Sequence, residues 1–217
     1  MTSIPAAAVT RPSPSLVRRA VKRALFIGAL CCAAPLVVLC RIAAIVIGAE
    51  PAFQCGSHFV ALFPGVPGDY LRLGYYALTL RRCSRECTVS FGTIFSTPDC
   101  EIGRHVFIGA YCVISDSVIE DDVLIGSGVH VLSGKHVHNY TSLDLPIRLQ
   151  GGTRVAVRIG RGTWIGDGAM VIANIGCECV IGAGSVVTRE VAELSIAAGN
   201  PARVIQLRTD PAKGPRG

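Results

Sequence analysis

Two histidines, His136 and His138, stand one residue apart in the stretch LSGKHVHNYTSLDLPIRLQGG, which runs from Leu132 to Gly152. An imidazole whose pKa is near the ordinary value of about 6.5 can take a proton from a hydroxyl at neutral pH. A proton acceptor placed in this way typically contributes about 10²- to 10⁴-fold to the rate of a reaction. Both side chains are therefore candidate general bases for attack by a hydroxyl group.

The histidines stand where a six-residue repeat breaks off. After Glu101 the chain reads IGRHVF, IGAYCV, ISDSV, IEDDVL, IGSGVH and VLSGKH, and it later resumes with IGRGTW, IGDGAM, VIAN, IGCECV, IGAGSV and VTREVA. A period of six fits neither a helix nor a simple alternating strand, and it is typical of a parallel β-helix. We expect the aliphatic opener of each unit to point inward, and three units to complete one triangular coil. The glycine that often follows the opener is expected to supply the turn between two faces.

The segment from about Lys135 to Val157 does not follow the repeat. It is polar and contains Pro146 and the pair Gly151–Gly152, which are typical of loops. The sequence therefore predicts an insertion that leaves one corner of the β-helix. The two histidines would stand at its start, on the rigid end of the preceding coil, which suits a catalytic group.

The N-terminal part of the chain has a different character. Four basic residues (Arg18, Arg19, Lys22 and Arg23) precede a stretch without charge from Ala24 to Cys40, Arg41 interrupts it, and residues 42–49 are apolar again. About 20 apolar residues are needed to cross a bilayer, whereas a cleaved signal peptide has a shorter apolar region and a cleavage site. The pattern favours a membrane anchor whose basic residues contact anionic headgroups, and it leaves open whether the segment spans the membrane or dips into it.

The sequence thus divides into four parts. They are a flexible basic N-terminus at 1–23, a hydrophobic membrane-associated helical segment at 24–82, a β-helix at 83–207, and a flexible tail at 208–217. Within the second part we expect a Pro/Gly turn at Pro64–Gly68 and a helix from about Asp69 to Arg82, which could cap one end of the β-helix. The segment GNPARVIQLR could cap the other end.

Charge and cysteine content exclude some classes of function. Residues 101–200 contain seven Lys and Arg against ten Asp and Glu, so the predicted β-helix lacks the basic face that a nucleic-acid-binding domain requires. The ten cysteines do not show the Cys-x-x-Cys pairs of a zinc module. They are expected to be reduced, small apolar residues of a cytosolic protein.

Three stretches resemble a known family. The stretch IGAGSVVTREV…IAAGNPARVI, from Ile181 to Ile205, is similar to the C-terminal signature of the acetyl-CoA-dependent left-handed β-helix acyltransferases with hexapeptide repeats. The stretch LSGKHVH…LPIRLQGG resembles the active-site loop of the subgroup that acetylates cell-surface polysaccharides and related sugars. The stretch PGVPGDYLRLGYYALTLRRC is similar to the segment that leads into the β-helix in that subgroup. The resemblance covers about residues 85–207.

The resemblance implies a fold, a reaction and an assembly. The fold would be mainly β, a left-handed parallel β-helix with an N-terminal hydrophobic helical segment. The reaction would be O-acetyl transfer from acetyl-CoA to a sugar hydroxyl in a cell-surface polysaccharide or a lipid-linked precursor. The protein would be a homotrimer in which the loop forms the cleft where donor and acceptor meet. Since acetyl-CoA is cytosolic, the expected location is the cytoplasmic face of the cell membrane.

The resemblance also implies roles for residues. Its subgroup places the catalytic histidine five residues after a serine, which from Ser133 selects His138 over His136, whereas a broader branch of the family would select His136. No Gly-x-Ser-x-Gly motif is present, and a ternary complex needs no covalent intermediate. The implied cofactor-binding residues are Trp164, Gly182, Ala183, Gly184, Ser185, Thr188, Arg189 and Arg203. Of these, Thr188, Arg189 and Arg203 match positions that hold the nucleotide phosphates. Gln206 stands where the family often has a second basic residue. Trp164 could instead be an exposed corner residue that packs between subunits.

Three alternatives remain open at this stage. An acetyltransferase on the same fold could act on a xenobiotic such as an antibiotic. A metalloenzyme similar to the γ-type carbonic anhydrases could hold zinc through His130, His136 and His138. A bare β-helix could serve as a non-catalytic scaffold. The loop and the C-terminal signature favour the acyltransferase, for which no metal is expected.

Overall fold

Three helices precede a parallel β-solenoid in a computed structural model, which describes residues 16–135 and 137–210. The helices are α1 (Leu16–Ile47), α2 (Ala49–Ala61) and α3 (Gly65–Thr79). Sixteen short strands follow: β1 (Arg82–Cys83), β2 (Thr88–Val89), β3 (Ile94–Phe95), β4 (Glu101–Ile102), β5 (Phe107–Ile108), β6 (Val113–Ile114), β7 (Ser117–Ile119), β8 (Leu124–Ile125), β9 (His130–Val131), β10 (Val157–Ile159), β11 (Trp164–Ile165), β12 (Met170–Val171), β13 (Val180–Ile181), β14 (Val186–Val187), β15 (Ser195–Ala198) and β16 (Arg203–Leu207). The predicted β-helix is confirmed.

The strands form three sheets, one for each side of a triangular prism. Sheet A has the order β1-β4-β7-β10, sheet B the order β16-β15-β13-β11-β8-β5-β2, and sheet C the order β14-β12-β9-β6-β3. All neighbouring strands are parallel except β15 and β16, which are antiparallel. Each coil therefore contributes one strand or bridge to each side.

The openers of the repeat units form the core, as predicted. In sheet B, Val89, Ile108, Ile125, Ile165 and Ile181 stack in register, and each has a relative exposure of 0 %. Fully burying an aliphatic side chain contributes about 1.5–3 kcal/mol, and the repeat supplies such a side chain on every face of most coils.

The predicted role of the second-position glycines is wrong. The positive φ angles fall at the fourth position of the units, for example 66° at Gly128 and 57° at His105, so that position makes the turn. A β-carbon at Gly109, a second-position glycine, would instead lie 2.6 Å from the backbone of Gly126 and Ser127 in the next coil. These glycines are required because the coils stack too closely for a side chain there.

The helices close the first end of the prism, as predicted, but α3 begins earlier than expected. The predicted turn at Pro64–Gly68 is wrong from Gly65 onward, because residues 65–68 already form the first turn of α3. Pro67 is tolerated there because the N–H groups of a first helical turn have no partner within the helix, so no hydrogen bond is lost. The helix ends at Thr79 rather than Arg82, because Arg82 already belongs to β1. At the other end of the prism, β16 covers β15.

The side chain of Arg72 joins α3 to the first coil. It is completely buried, and its Nε donates a hydrogen bond of 2.8 Å to the carbonyl oxygen of Val89 in β2. Its Nη1 donates to the carbonyl oxygen of Phe63 at 2.6 Å, and its Nη2 pairs with Asp69 at 2.5 Å. Beside it, the rings of Tyr76 and Phe95 pack edge to face. The three helices, which we call the cap, are therefore joined to the prism by a buried guanidinium whose nitrogens all donate hydrogen bonds.

Helix α1 packs against α2 and α3 with one side. It begins at Leu16, inside the segment expected to be flexible, while residues 1–15 and 211–217 lie outside the described part of the chain. Ala29, Ala33 and Val37 are buried in this packing. The stretch Ala20–Ile47 has 28 residues, and an 18-residue window within it has a mean hydropathy of 2.6, so its length and composition would allow it to cross a membrane.

Candidate active site

One edge of the prism, where the chain leaves sheet C, brings the candidate residues into line. The residues that directly follow the strands of sheet C stack there, because those strands pair in register. They are Ser96, Ser115, Leu132, Ile172 and Thr188. We call this line the sheet C edge. Ser96 Oγ and Ser115 Oγ are hydrogen-bonded at 2.7 Å, so its first two coils present paired hydroxyl groups.

The loop that carries the histidines leaves the sheet C edge between β9 and β10. Its base is closed by a hydrogen bond of 3.1 Å from Val155 N to the carbonyl oxygen of Ser133. Further out, Asn139 N donates to the carbonyl oxygen of Gly151 at 2.9 Å, which fixes the backbone next to His138. The side chain of His138 is exposed. His136 lies outside the described residues.

A groove of about 550 Å³ runs between this loop, the sheet C edge and the start of α2. His138 lies in the loop wall of the groove, and Glu50 and Gln54 of α2 form part of the facing wall. Gln54 Nε2 donates a hydrogen bond of 2.9 Å to the carbonyl oxygen of Ser96. Arg154 Nη1, at the end of the loop, pairs with Glu50 Oε1 at 2.5 Å. The groove could admit an acceptor whose hydroxyl reaches the imidazole.

Asp116 is a candidate that the sequence analysis missed. It is largely buried next to Ser115, and its backbone N donates a hydrogen bond of 3.3 Å to Ser133 Oγ. Its Oδ2 has no hydrogen-bond partner among the described residues. Burying a carboxylate oxygen destabilises the protein unless a ligand or a water molecule donates a hydrogen bond to it. Asp116 is therefore a candidate ligand-binding group. The signal in the sequence is that its repeat unit, ISDSV, is one residue short.

The three residues predicted to bind the nucleotide phosphates lie near one another in the structure. Thr188 and Arg189 lie at the sheet C edge, two coils beyond the origin of the loop, which corresponds to about 10 Å along the prism. Val186 N donates to the carbonyl oxygen of Gly199 at 3.0 Å, and Ala202 N donates to the carbonyl oxygen of Val186 at 2.8 Å. These bonds place Arg203, which follows Ala202, beside the same coil. The side chains of Arg189 and Arg203 are both exposed.

The other predicted cofactor residues lie on the opposite side of sheet C. Gly182, Ala183, Gly184 and Ser185 form the turn between β13 and β14. Ser185 is buried and its Oγ accepts a hydrogen bond of 3.1 Å from Gly199 N, so its side chain supports the fold. Trp164 is 51 % exposed on the outer face of sheet B, where it aligns with Leu124 and Val180, and not at a corner. Within one chain these residues are separated from His138 by the width of sheet C.

The zinc alternative falls only in part on described residues, because His136 lies outside them. Residues 16–135 and 137–210 contain no group of three His, Cys, Asp or Glu side chains that could hold a metal ion. His130, one of the three histidines considered for zinc, stands in β9 and is partly buried. The ten cysteines are free, and burial raises the pKa of the Cys100 thiol to about 12. Such a thiol is not a nucleophile at neutral pH.

Comparisons with known proteins agree with this geometry. The family model described as the hexapeptide repeat of succinyl-transferase matches residues 101–133 and 156–189, on either side of the loop. YJL218W of Saccharomyces cerevisiae, which is named as an acetyltransferase, is 37 % identical over 139 residues, covering 60 % of this chain and 70 % of that protein. WbbJ of Escherichia coli, which is named as a lipopolysaccharide biosynthesis O-acetyl transferase, is 31 % identical over 122 residues, or 53 % of this chain and 61 % of that one.

A solved structure shows the same fold. The structure of galactoside acetyltransferase in complex with coenzyme A superposes with a TM-score of 0.61 at 22 % identity. The superposition covers 75 % of this chain and 84 % of the other. At 22 % sequence identity, this structural similarity establishes only that the two proteins share the β-solenoid fold.

Proposed function

Because this chain belongs to the hexapeptide-repeat acetyltransferases and is an acyltransferase, we propose that it transfers an acetyl group from acetyl-CoA to a sugar hydroxyl. The acceptor is a cell-surface polysaccharide or a lipid-linked precursor. One observation carries the proposal: His138 lies in a groove on the same prism edge that bears Thr188 and Arg189 two coils further on. A base and a phosphate site are thus aligned on one edge.

The reaction needs a single base. The imidazole of His138 accepts the proton of the acceptor hydroxyl while its oxygen attacks the thioester carbonyl. The C–S bond of the resulting tetrahedral species then breaks, the acetyl ester is formed, and the proton passes to the sulfur of CoA. His136 is the alternative base, because its distance from Ser133 in the sequence matches that of the catalytic histidine in a broader branch of the family. No covalent enzyme intermediate is required.

The donor binds along the coils that follow the loop. Arg189 and Arg203 form charge-assisted hydrogen bonds with the nucleotide phosphates, and Thr188 adds a hydroxyl donor. The small residues Ala183 and Gly184 leave room for the pantetheine arm, as their exposed position allows. Trp164 contacts the arm from the outer face of sheet B. The complex of a structural relative with coenzyme A supports this choice of donor.

The site is complete only in a homotrimer. His138 and Trp164 lie on opposite sides of sheet C in one chain, so the groove of one protomer needs the sheet B face of its neighbour. The loop also exposes aliphatic side chains, with Leu143 98 % and Leu149 59 % exposed. Packing against a second protomer would cover them.

The protein acts at the cytoplasmic face of the cell membrane. The apolar helix α1 supports association with a membrane, and the supply of acetyl-CoA supports the cytoplasmic side. A surface-glycan acceptor fits this location. The relative WbbJ, which is named for lipopolysaccharide biosynthesis, points to the same class of acceptor.

The experiment is a measurement of free CoA thiol released from acetyl-CoA by the full-length protein, with and without a panel of hexoses and oligosaccharides. We expect release that depends on the acceptor, and an acetyl ester on the product by mass spectrometry. Mass spectrometry of surface glycans from cells with and without the protein identifies the natural acceptor. Acetyl-CoA binding without transfer to any sugar, or transfer only to an antibiotic, would contradict the proposal.

A further inference from the structure

We propose that α1 lies in the plane of an anionic membrane surface, and that the active-site groove receives a lipid-linked acceptor directly from that membrane. The inference rests on the proposed function and narrows the acceptor to a sugar carried on a lipid. It follows from the two sides of α1, from the positions of its charges, and from the residues that connect its end to the groove.

The two sides of α1 differ in what covers them. One side, with Ala29, Ala33 and Val37, is buried against α2 and α3. On the other side, Ile42, Ile45 and Val46 are 59 %, 84 % and 85 % exposed. A β-carbon at Gly74 of α3 would collide with the backbone carbonyl of Ala29, so the two helices are in close contact. Helix α1 is therefore fixed to the other helices through its middle part, from Ala29 to Val37, while its C-terminal turns keep an apolar side uncovered.

The charges on α1 fit a helix in the membrane plane. Arg23 and Arg41 are 18 residues apart, about five helical turns, so they share one line along the helix. Both are exposed, and that line borders the exposed apolar side. A spanning orientation would place Arg41 near hydrocarbon, whereas in the membrane plane both side chains reach the headgroups. Since α1 contains no Asp or Glu, the charge favours anionic lipids over another protein surface.

The C-terminal end of α1 leads directly to the groove. Glu50 stands three residues after Ile47, the last residue of α1, so the two are separated by at most about 10 Å of chain. Glu50 and Gln54 line the groove, and the ion pair of Glu50 with Arg154 joins the helical segment to the histidine loop. One wall of the groove is thus built beside the membrane-bound helix. A sugar whose lipid lies in the same membrane would reach the groove without leaving the surface.

The first test measures binding of the full-length protein to vesicles by flotation. We expect binding to vesicles of phosphatidylcholine with 30 % phosphatidylglycerol, and at least tenfold weaker binding to phosphatidylcholine alone. The double variant Ile45→Glu, Val46→Glu should bind at least tenfold more weakly. The double variant Arg23→Gln, Arg41→Gln should reduce the preference for anionic lipid, which Arg18, Arg19 and Lys22 still support in part. The matched control is Ile205→Glu, which changes an exposed aliphatic residue in β16 and should bind like the wild type. If the Glu variants instead change the oligomeric state and vesicle binding is unaffected, the apolar side is an interface between copies and the inference fails.

The second test compares a methyl glycoside in solution with the octadecyl glycoside of the same hexose in anionic vesicles. The variant Ile45→Glu, Val46→Glu should release CoA at the wild-type rate with the methyl glycoside, and at least tenfold more slowly with the octadecyl glycoside. Equal rates of this variant and the wild type on the octadecyl glycoside would overturn the inference alone. A wild-type protein that acetylates neither glycoside would overturn the proposed function.

Discussion

Gly152 packs directly against the carbonyl oxygen of Val137, the residue that precedes His138. A β-carbon at Gly152 would collide with that oxygen and would lie 2.9 Å from the Cα of His138. The returning arm of the loop therefore supports the backbone of the histidine, and no other residue fits at this position without displacing it.

The variant Gly152→Ala tests this support. We expect the added methyl group to displace residues 137 and 138, to lower the free energy of unfolding by about 1–3 kcal/mol and to reduce acetyl transfer at least tenfold. The affinity for acetyl-CoA should change little, because Arg189 and Arg203 lie two coils away.

Gly28→Ala is the matched control, since apart from the neighbouring backbone of its own helix no atom lies within 4 Å of its added methyl group. Its activity should equal that of the wild type, and its melting temperature should be the same or slightly higher, because Ala favours a helix interior over Gly by about 0.5–1 kcal/mol. A fully active Gly152→Ala variant would show that the loop does not position the base in this way.

The buried guanidinium of Arg72 predicts a large effect on stability. Arg72→Met removes the donor to the Asp69 carboxylate and to three backbone carbonyls, so we expect a loss of about 3–5 kcal/mol in the free energy of unfolding. The control Arg81→Met removes an ion pair with Asp99 in which both side chains are about 60 % exposed, and it should cost about 0–1 kcal/mol. Denaturant titration measures both. Equal losses would show that the cap does not depend on Arg72.

The phosphate site predicts an effect on donor affinity alone. Arg189→Gln and Arg203→Gln should each raise the Kd of acetyl-CoA about tenfold, because each removes a charge-assisted hydrogen bond. The increase should shrink at high salt. Arg158→Gln, which removes an exposed arginine paired with Glu120, should leave the Kd unchanged. Isothermal titration calorimetry measures the three Kd values. An unchanged Kd in the first two variants would show that the nucleotide of acetyl-CoA binds elsewhere on the protein.

The repeat made the core of the prism predictable. The openers from Ile102 to Val187 are buried because a period of six matches one face of a coil, and this depends only on local sequence. The same pattern did not show whether the glycine at the second position of a unit or the residue at the fourth position makes the turn. That difference arises from the distance between adjacent coils, which the sequence of a single unit does not contain.

The site was predictable in part. The break in the repeat predicted the loop, which the structure shows between β9 and β10, while the roles of His138, Thr188, Arg189 and Arg203 stay predictions. The ion pair of Glu50 with Arg154 joins residues 104 positions apart, and no local pattern indicates such a pair. Asp116 became a candidate only because the structure leaves its Oδ2 without a partner among the described residues.

The most direct test of the central claim is the rate of acetyl transfer by His138→Ala, measured together with its affinity for acetyl-CoA. If His138 is the base, the rate should fall about 10²- to 10⁴-fold while the Kd of acetyl-CoA and the oligomeric state stay unchanged. His136→Ala should lose less activity. A His138→Ala variant with near wild-type activity would contradict the assignment, and a larger loss in His136→Ala would assign the base to His136.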